Sequence, residues 1–311
     1  MAVPVFAHRG VSYDDSAQLG RSLAPVVDRA VRHGDTVVLA LDADAAAALG
    51  ASVDLAAVEL LEIDRPARQD AFQLAARRAT AATAASRDGI ASLLVTQPLA
   101  SLGMPEGYWL RLEAALDAAL VHLPVTLLCA YRTALAAYRT CHPQVGTLTA
   151  PHDNPGYQAP TDVVRNLPGV VVPPPPAHAS AWQFSSSNLT SMRRALTERV
   201  VAAGLDHEAG EDLVYSVSEI ATNAVEHGSG AGTLWTWLED DQVVCLVADR
   251  GRLVDPFPGV VPPSLDQGRG RGLWLARALC DEVDVESGAS GTRVRLVRRL
   301  VRSEPMSRQI R

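Results

Sequence analysis

A proline-rich stretch between about Asn154 and Trp182 constrains the fold of this chain more than any other feature. Its run from Pro173 to Pro176 favours the polyproline conformation, which acts as a semi-rigid spacer. The chain has 311 residues, a length that suits about two domains. We therefore predict two domains joined by a linker, with the first domain at 1–154, the linker at 155–181, the second domain at 182–302 and a tail at 303–311.

The first domain alternates short apolar runs with alanine-rich stretches of helical character. The predicted strands are Val37–Leu41, Val58–Ile63, Leu93–Thr96 and Val125–Cys129, and the predicted helices are Arg68–Ser86 and Trp109–Val121. Strands that alternate with helices are typical of an α/β domain with a largely parallel sheet.

The second domain begins with helices and continues mainly with strands. The predicted helices are Leu189–Ala203, Gly210–His227 and Leu273–Cys280. The predicted strands are Trp182–Phe184, the hairpin of Thr233–Leu238 with Gln242–Ala248, and the hairpin of Val283–Ser287 with Thr292–Val297. Helices combined with an antiparallel sheet indicate an α+β two-layer sandwich.

Composition excludes several functions. All 28 basic residues are arginine, because the sequence contains no lysine, so phosphate binding by a P-loop lysine and Schiff-base chemistry are excluded. The net charge of -7 at pH 7 argues against direct nucleic-acid binding, whose affinity rests mainly on neutralising phosphates.

The sequence also predicts a cytoplasmic protein without membrane contact. The N-terminus lacks a signal-peptide pattern, and no run of 18 apolar residues occurs. None of the cysteines forms a CxxC pair. Buried reduced thiols are therefore favoured over disulfides or a metal site at Cys129, Cys141, Cys245 and Cys280.

Three polar residues recur at four-residue spacing on the predicted helix Gly210–His227. Glu219, Asn223 and His227 fall on one stripe. Such a stripe is either a solvated helix face or one wall of a site. An amide oxygen suits Mg²⁺, and a carboxylate beside it can deprotonate a hydroxyl. The motifs that follow favour the site.

An aspartate and a glycine loop follow this helix. Asp249 ends a buried apolar run, where a carboxylate needs a partner; the exocyclic amine of adenine is one, and Gly251 lets a flat base approach the backbone. Gly268, Gly270 and Gly272 precede a helix, an arrangement that exposes backbone N–H groups to phosphate. Alone, the Asp249 motif favours a simple turn, and the glycine run is about as compatible with a flexible loop as with a phosphate site.

Taken together, these motifs resemble the GHKL, or Bergerat-fold, ATPase domain over roughly Trp182–Leu300. The resemblance implies ATP and Mg²⁺ as cofactors, Glu219 as the general base and Asn223 as the metal ligand. It also implies nucleotide contacts at Asn223, His227, Asp249, Gly251, Gly268, Gly270, Gly272, Leu273 and Thr292.

The loop that contains Gly268–Gly272 matches the ATP lid of this family. The E-x-x-x-N-x-x-x-H spacing and the compact lid look most like the anti-sigma-factor serine/threonine kinases of the RsbW type. A proline spacer stands where a sensor histidine kinase has its phosphoaccepting helical hairpin. The resemblance implies a STAS-type anti-sigma-factor antagonist and a sigma factor as partners. It is also compatible with a homodimer. A second hypothesis is a non-catalytic binding module, in which ATP sets the conformation and the domain sequesters a sigma factor or another regulator.

The N-terminal half resembles the MEDS sensory domain, which implies a RecA-like fold and an unidentified small-molecule signal. The resemblance rests on His8-Arg-Gly10 with Tyr13, Gly34–Leu39, Glu113, Leu128–Tyr131 and His142-Pro143. His8, Cys129 and His142 either surround a ligand or are satisfied structural residues. The second interpretation is favoured, and no site is assigned here.

Overall fold

The computed structural model describes residues 6–61, 70–86, 90–98, 103–132, 135–263 and 271–300. Contacts between Cα atoms divide the chain into two compact units. The first unit is Met1–Pro168 with Val260–Pro262, and the second is Gly169–Gly259 with Pro263–Arg311.

The first unit is a sheet with helices between its strands. Its strands are β1 (Ala7–Ser12), β2 (Thr36–Ala40), β3 (Glu59–Leu60), β4 (Ser92–Thr96), β5 (Val125–Tyr131), β6 (Gln144–Gly146) and β7 (Pro151–Asp153). Its helices are α1 (Ser16–His33), α2 (Ala43–Gly50), α3 (Ala71–Ala85), α4 (Glu106–Leu120), α5 (Ala136–Thr140) and α6 (Pro160–Arg165), with a 3-10 turn at Leu55–Ala57.

The strand order in this sheet is β3-β2-β4-β5-β1-β6-β7. Every neighbouring pair is parallel except β6 with β7. The central strands are apolar and buried along their length, as expected when helices cover both faces of a parallel sheet. The α/β architecture is confirmed, whereas the RecA-like description of this half stays a prediction.

Local sequence explains the first helix of this unit. The side chain of Asp15 accepts the N–H of Gln18 at the start of α1, and Gly34 ends the helix in a left-handed conformation with φ 81°. Leu19, Leu23 and Val27, spaced four apart, are buried against the sheet layer.

The second unit is an α+β sandwich. Its strands are β8 (Ser180–Ser185), β9 (Ala231–Glu239), β10 (Gln242–Asp249), β11 (Glu282–Gly288) and β12 (Gly291–Arg299), and its helices are α7 (Leu189–Ala202), α8 (His207–Glu226) and α9 (Gly272–Leu279). The strand order is β11-β12-β10-β9-β8, and every neighbouring pair is antiparallel. The predicted two-layer arrangement is thereby confirmed.

Alternation along β10 places the core between the helices and one face of this sheet. Val243, Cys245 and Val247 join the main cluster with the apolar side of α8. Val244 and Leu246 point to the opposite face, where they pack with Trp237. The orientation of β10 therefore fixes which side of its last residue, Asp249, faces the helices.

The segment predicted as a linker contains structure of its own. Helix α6 packs within the first unit, where Val163 is buried. In the second unit, the N–H of Val172 donates to Glu286 at 2.9 Å, and the guanidinium of Arg293 donates to the carbonyl of Val172 at 2.7 Å. Residues 167–179 contain no helix or strand, and the predicted domain boundaries stay predictions. None of the described helices has the length and apolar character needed to cross a membrane.

Candidate functional site

The second unit contains a cavity of about 320 Å³. It lies among the C-terminal part of α8, the end of β10, the segment after it, the start of α9 and the start of β12. Its lining residues are Ile220, Asn223, Ala224, His227, Gly228, Asp249, Gly251, Arg252, Leu253, Asp255, Gly259, Leu273, Thr292 and Val294. Six of the predicted site residues are in this set: Asn223, His227, Asp249, Gly251, Leu273 and Thr292.

Helix α8 presents one wall of the cavity because its opposite side is held in the core. Leu213, Val217 and Ala221 are fully buried, which turns Asn223 and His227 toward the cavity. His227 is the C-cap residue of α8 and is largely exposed. Two residues of the predicted stripe, Asn223 and His227, therefore line the cavity.

Glu219 lies one turn before Asn223 and is half-buried, but it does not line the cavity. Instead it lies at the start of α9, where a β-carbon built on Gly272 would be 3.1 Å from Cβ of Glu219. Within the described part of the chain, neither the Glu219 carboxylate nor the Asn223 amide has a hydrogen-bond partner. Of the three predicted loop glycines, Gly268 and Gly270 lie outside the described residues.

Asp249 is the last residue of β10, opposite Gly232 on one neighbouring strand and Thr292 on the other. Its Oδ1 accepts the N–H of Gly251. Burial raises the pKa of Asp249, and the Gly251 N–H partly offsets that rise. A second donor would stabilise the ionised carboxylate further.

Two glycines give this carboxylate its space. A β-carbon at either Gly228 or Gly251 would lie 2.6 Å from Oδ1 of Asp249. A side chain at either position would therefore displace the carboxylate or fill the cavity beside it. The sequence predicted Gly251 as the residue that lets a flat base approach the backbone, and it gave no sign that either glycine makes room for this carboxylate.

Thr292 holds the turn that follows Asp249. Its hydroxyl donates to the carbonyl of Gly251 at 2.9 Å and lies 2.9 Å from the hydroxyl of Ser287. The preceding Gly291 has φ 116°, and a β-carbon there would be 2.1 Å from the carbonyl oxygen of Asp249. Only glycine allows β12 to begin this close to the end of β10.

Comparison with protein families agrees with this arrangement. Residues 184–298 match the model of the histidine kinase-like ATPase domain. Residues 7–143 match the model of MEDS, the methanogen/methylotroph DcmR sensory domain. The chain combines a MEDS domain with a histidine kinase-like ATPase domain. The residues that match MEDS lie within the first unit, and those that match the ATPase domain lie within the second unit except for Val260–Pro262.

The ATPase domain is similar to serine-protein kinase RsbW of Oceanobacillus iheyensis. The two are 32% identical over 98 residues, which cover 27% of this chain and 62% of that relative. The chain thus spans less than two thirds of the relative. A solved structure of the RsbU and RsbW domains of Rv1364c from Mycobacterium tuberculosis is also similar, with 28% sequence identity. The match covers 39% of this chain and 32% of that chain, with a TM-score of 0.30.

The cavity of the ATPase domain fits adenine and a cation. Ile220, Ala224, Leu273 and Val294 provide apolar walls for a flat ring. The carboxylate of Asp249 lies beside them as an acceptor that lacks a second donor within the described residues. The Asn223 amide supplies an oxygen of the kind that Mg²⁺ binds.

The sequence did not identify every lining residue. Arg252, Leu253 and Asp255 also line the cavity. They belong to an irregular segment after β10, and only tertiary folding brings them there. Of these three residues, Arg252 is the one that the sequence could have singled out. It is a cation three residues after Asp249, and a cation has a clear chemical role near a phosphate group.

Proposed function

We propose that the ATPase domain is a serine/threonine protein kinase of the anti-sigma-factor type. The observation that carries the proposal is the single cavity that gathers Asn223, Asp249, Leu273 and Thr292. Similarity to a serine-protein kinase supports a serine or threonine hydroxyl as the proposed phosphate acceptor. The proposed substrate is a STAS-type anti-sigma-factor antagonist, and a sigma factor is the proposed second partner.

Asp249 would accept the exocyclic amine of adenine, and Asn223 would offer its amide oxygen to Mg²⁺. ATP supplies the phosphoryl group that a kinase transfers. Glu219, half-buried beside Asn223, would take the proton from a hydroxyl of the partner protein. Positioning and charge neutralisation dominate phosphoryl transfer, and a general base typically contributes ~10²–10⁴-fold.

We further propose that the MEDS domain controls this kinase in response to a small-molecule signal. The order of the two domains along the chain supports such control, because a sensory module precedes an ATP-dependent output module. A cytoplasmic location and a homodimer complete the proposal.

A binding module is the second candidate function, and the position of Glu219 favours it. Glu219 does not line the cavity, so nucleotide binding does not require it. In this alternative, ATP sets the conformation of the domain, which then sequesters a sigma factor or another regulator without transferring phosphate.

Incubation of the purified full chain with γ-labelled ATP, Mg²⁺ and a candidate STAS protein tests the proposal. A kinase places label on a serine or threonine of the partner. Nucleotide binding without label on any candidate partner supports the binding module. Absence of Mg-ATP binding to the folded chain at millimolar nucleotide contradicts both functions.

A further inference from the structure

Four ligand-type side chains converge in the interior of the MEDS domain. His8 lies on β1, Glu113 on α4, Cys129 on β5, and His142 two residues before β6. All four are at least 97% buried, and one ligand atom from each lies within 4.8 Å of the others. They include the three residues whose grouping the sequence left open, together with Glu113.

Four of the six separations between these atoms are close to those of a tetrahedral metal site, and all six are within 4.8 Å. Nε2 of His8 lies 3.3 Å from Oε2 of Glu113 and 3.4 Å from Sγ of Cys129. The same Oε2 lies 2.9 Å from Sγ of Cys129 and 3.7 Å from Nε2 of His142. Ligands at usual zinc distances, about 2.0–2.3 Å, are separated from one another by roughly 3.3–3.6 Å in a tetrahedron.

His142 provides an independent observation. Its Nε2 is buried and has no hydrogen-bond partner, although a buried polar atom normally has one. Its Nδ1 lies 3.2 Å from the carbonyl oxygen of Tyr138. Because a carbonyl can only accept, Nδ1 carries the proton in neutral His142, and the lone pair of Nε2 points into the cluster.

An outer layer of hydrogen bonds orients the other ligands. Nδ1 of His8 lies 3.2 Å from Oδ1 of Asp117, which directs Nε2 toward the cluster. The hydroxyl of Tyr131 donates to Oε1 of Glu113 at 2.6 Å, leaving Oε2 for the centre. Histidine ligands of metals are held by carboxylates or backbone carbonyls in this manner.

The third residue of the His8-Arg-Gly10 motif is a glycine for a steric reason. A β-carbon at Gly10 would lie 2.9 Å from the ring of Tyr138 and 3.1 Å from Cγ of His142. The missing side chain therefore makes room for the imidazole of His142. His8 and Gly10 share one face of β1, so the motif supplies both a ligand and the space for another.

We propose that His8, Glu113, Cys129 and His142 bind one tetrahedral divalent transition metal ion, and that the ion is zinc. A thiolate and a carboxylate carry two negative charges, which a divalent cation neutralises in a buried site. Imidazole and thiolate together are typical zinc ligands. Four protein ligands leave no coordination position for a substrate, so the site stabilises the sensory domain and is not catalytic. It is independent of the function proposed for the ATPase domain.

Metal analysis and cobalt substitution of the full-length wild-type chain test the site. Protein purified with added zinc should hold one zinc per chain. After removal of zinc with a chelator, Co²⁺ should produce a thiolate-to-cobalt charge-transfer band together with the strong visible bands of tetrahedral cobalt, and zinc should abolish both. At a zinc concentration about 100-fold above Kd, the melting temperature should rise by about 5–10 °C. A folded wild-type chain that holds no zinc and shows no cobalt–thiolate band overturns the proposal.

Two cysteine variants identify the ligand. Cys129→Ser should lose the cobalt–thiolate band. Cys141→Ser is the matched control, because Cys141 is also buried in this domain but its thiol faces the carbonyl of Leu110 at 3.8 Å; it should keep the band. A folded Cys129→Ser protein with the band intact contradicts the assignment. If Cys129→Ser does not fold, the wild-type titration decides.

Discussion

Gly272 and Asn223 meet at the edge of the ATPase cavity, where a β-carbon on Gly272 would lie 2.8 Å from Nδ2 of Asn223. Such a distance is shorter than side chains tolerate, so the first residue of α9 must lack a side chain for the amide to stay in place. The start of α9 and the polar stripe of α8 are thus in direct contact. Any shift of this end of α9 reaches the residue proposed to face the cation.

Gly272→Ala should weaken Mg-ATP binding by about tenfold or more, because the new methyl group displaces the Asn223 amide. Loss of a charge-assisted contact costs about 1.5–3 kcal/mol. Alanine favours helix over glycine, so thermal stability should change little. Calorimetric titration with Mg-ATP measures the effect. Gly288→Ala is the control, because nothing lies within 4 Å of a β-carbon there; equal losses in both variants would disprove the contact argument.

Asp249→Asn should reduce ATP affinity by about tenfold or more, since the amide replaces a charged acceptor with a neutral one. A comparison of ATP with GTP tests whether Asp249 contacts the base. Its base presents a carbonyl where adenine has an amine, so wild type should prefer ATP to GTP and the variant should lose much of that preference. An unchanged ATP-to-GTP ratio in a folded Asp249→Asn protein would show that Asp249 does not contact the base.

Thr292→Val keeps the shape of the side chain but removes the hydroxyl that donates to the Gly251 carbonyl. The hydrogen bond contributes about 0.5–1.5 kcal/mol, so ATP affinity should fall roughly two- to tenfold as the turn after Asp249 loosens. Thr222→Val is the control, because that hydroxyl donates to Ser218 within α8. If ATP affinity fell in Thr222→Val but not in Thr292→Val, the role given to Thr292 would be contradicted.

Glu219→Gln separates the kinase from the binding module. The change preserves size and removes the basic carboxylate, so ATP affinity should stay within a few fold while partner phosphorylation falls by at least ~10²-fold. Asn223→Ala should instead lose metal-dependent binding and transfer together. Phosphorylation at the wild-type rate by Glu219→Gln would remove Glu219 from the mechanism.

Limited proteolysis tests the domain boundaries. Exposed residues at a boundary are cleaved first, and Val171 is 80% exposed beside the division between the two units. Thermolysin or subtilisin should therefore cut first between Asn166 and Val171 and release two folded fragments. Mass spectrometry of the early fragments locates the cut. First cuts within either unit would mean that the boundary is wrongly placed.

Periodicity made most of the second unit predictable. The four-residue spacing of Glu219, Asn223 and His227 and the position of Asp249 at a strand end are local properties, which the sequence displays directly. Arg252 and Leu253 were missed because an irregular segment carries no periodic signal. The roles of the site residues stay predictions.

The first unit was less predictable, because its main features depend on long-range pairing. Strand β1 was not predicted as a strand, and its position between β5 and β6 has no local signature. The four cysteines are buried and form no disulfide within the described residues, in line with the preference for buried reduced thiols, but that preference disfavoured a metal site at Cys129. The neighbours of that thiol come from three other parts of the chain, and cysteine spacing alone does not reveal them.

The place of β1 in the sheet has a consequence for synthesis on the ribosome. Its hydrogen-bonding neighbours are β5 (Val125–Tyr131) and β6 (Gln144–Gly146), so β1 emerges long before either partner exists. At about 5–20 residues per second, the nascent β1 waits on the order of ten seconds with both edges unpaired. Until β5 emerges, this strand depends on chaperones or on transient contacts to avoid pairing with another chain.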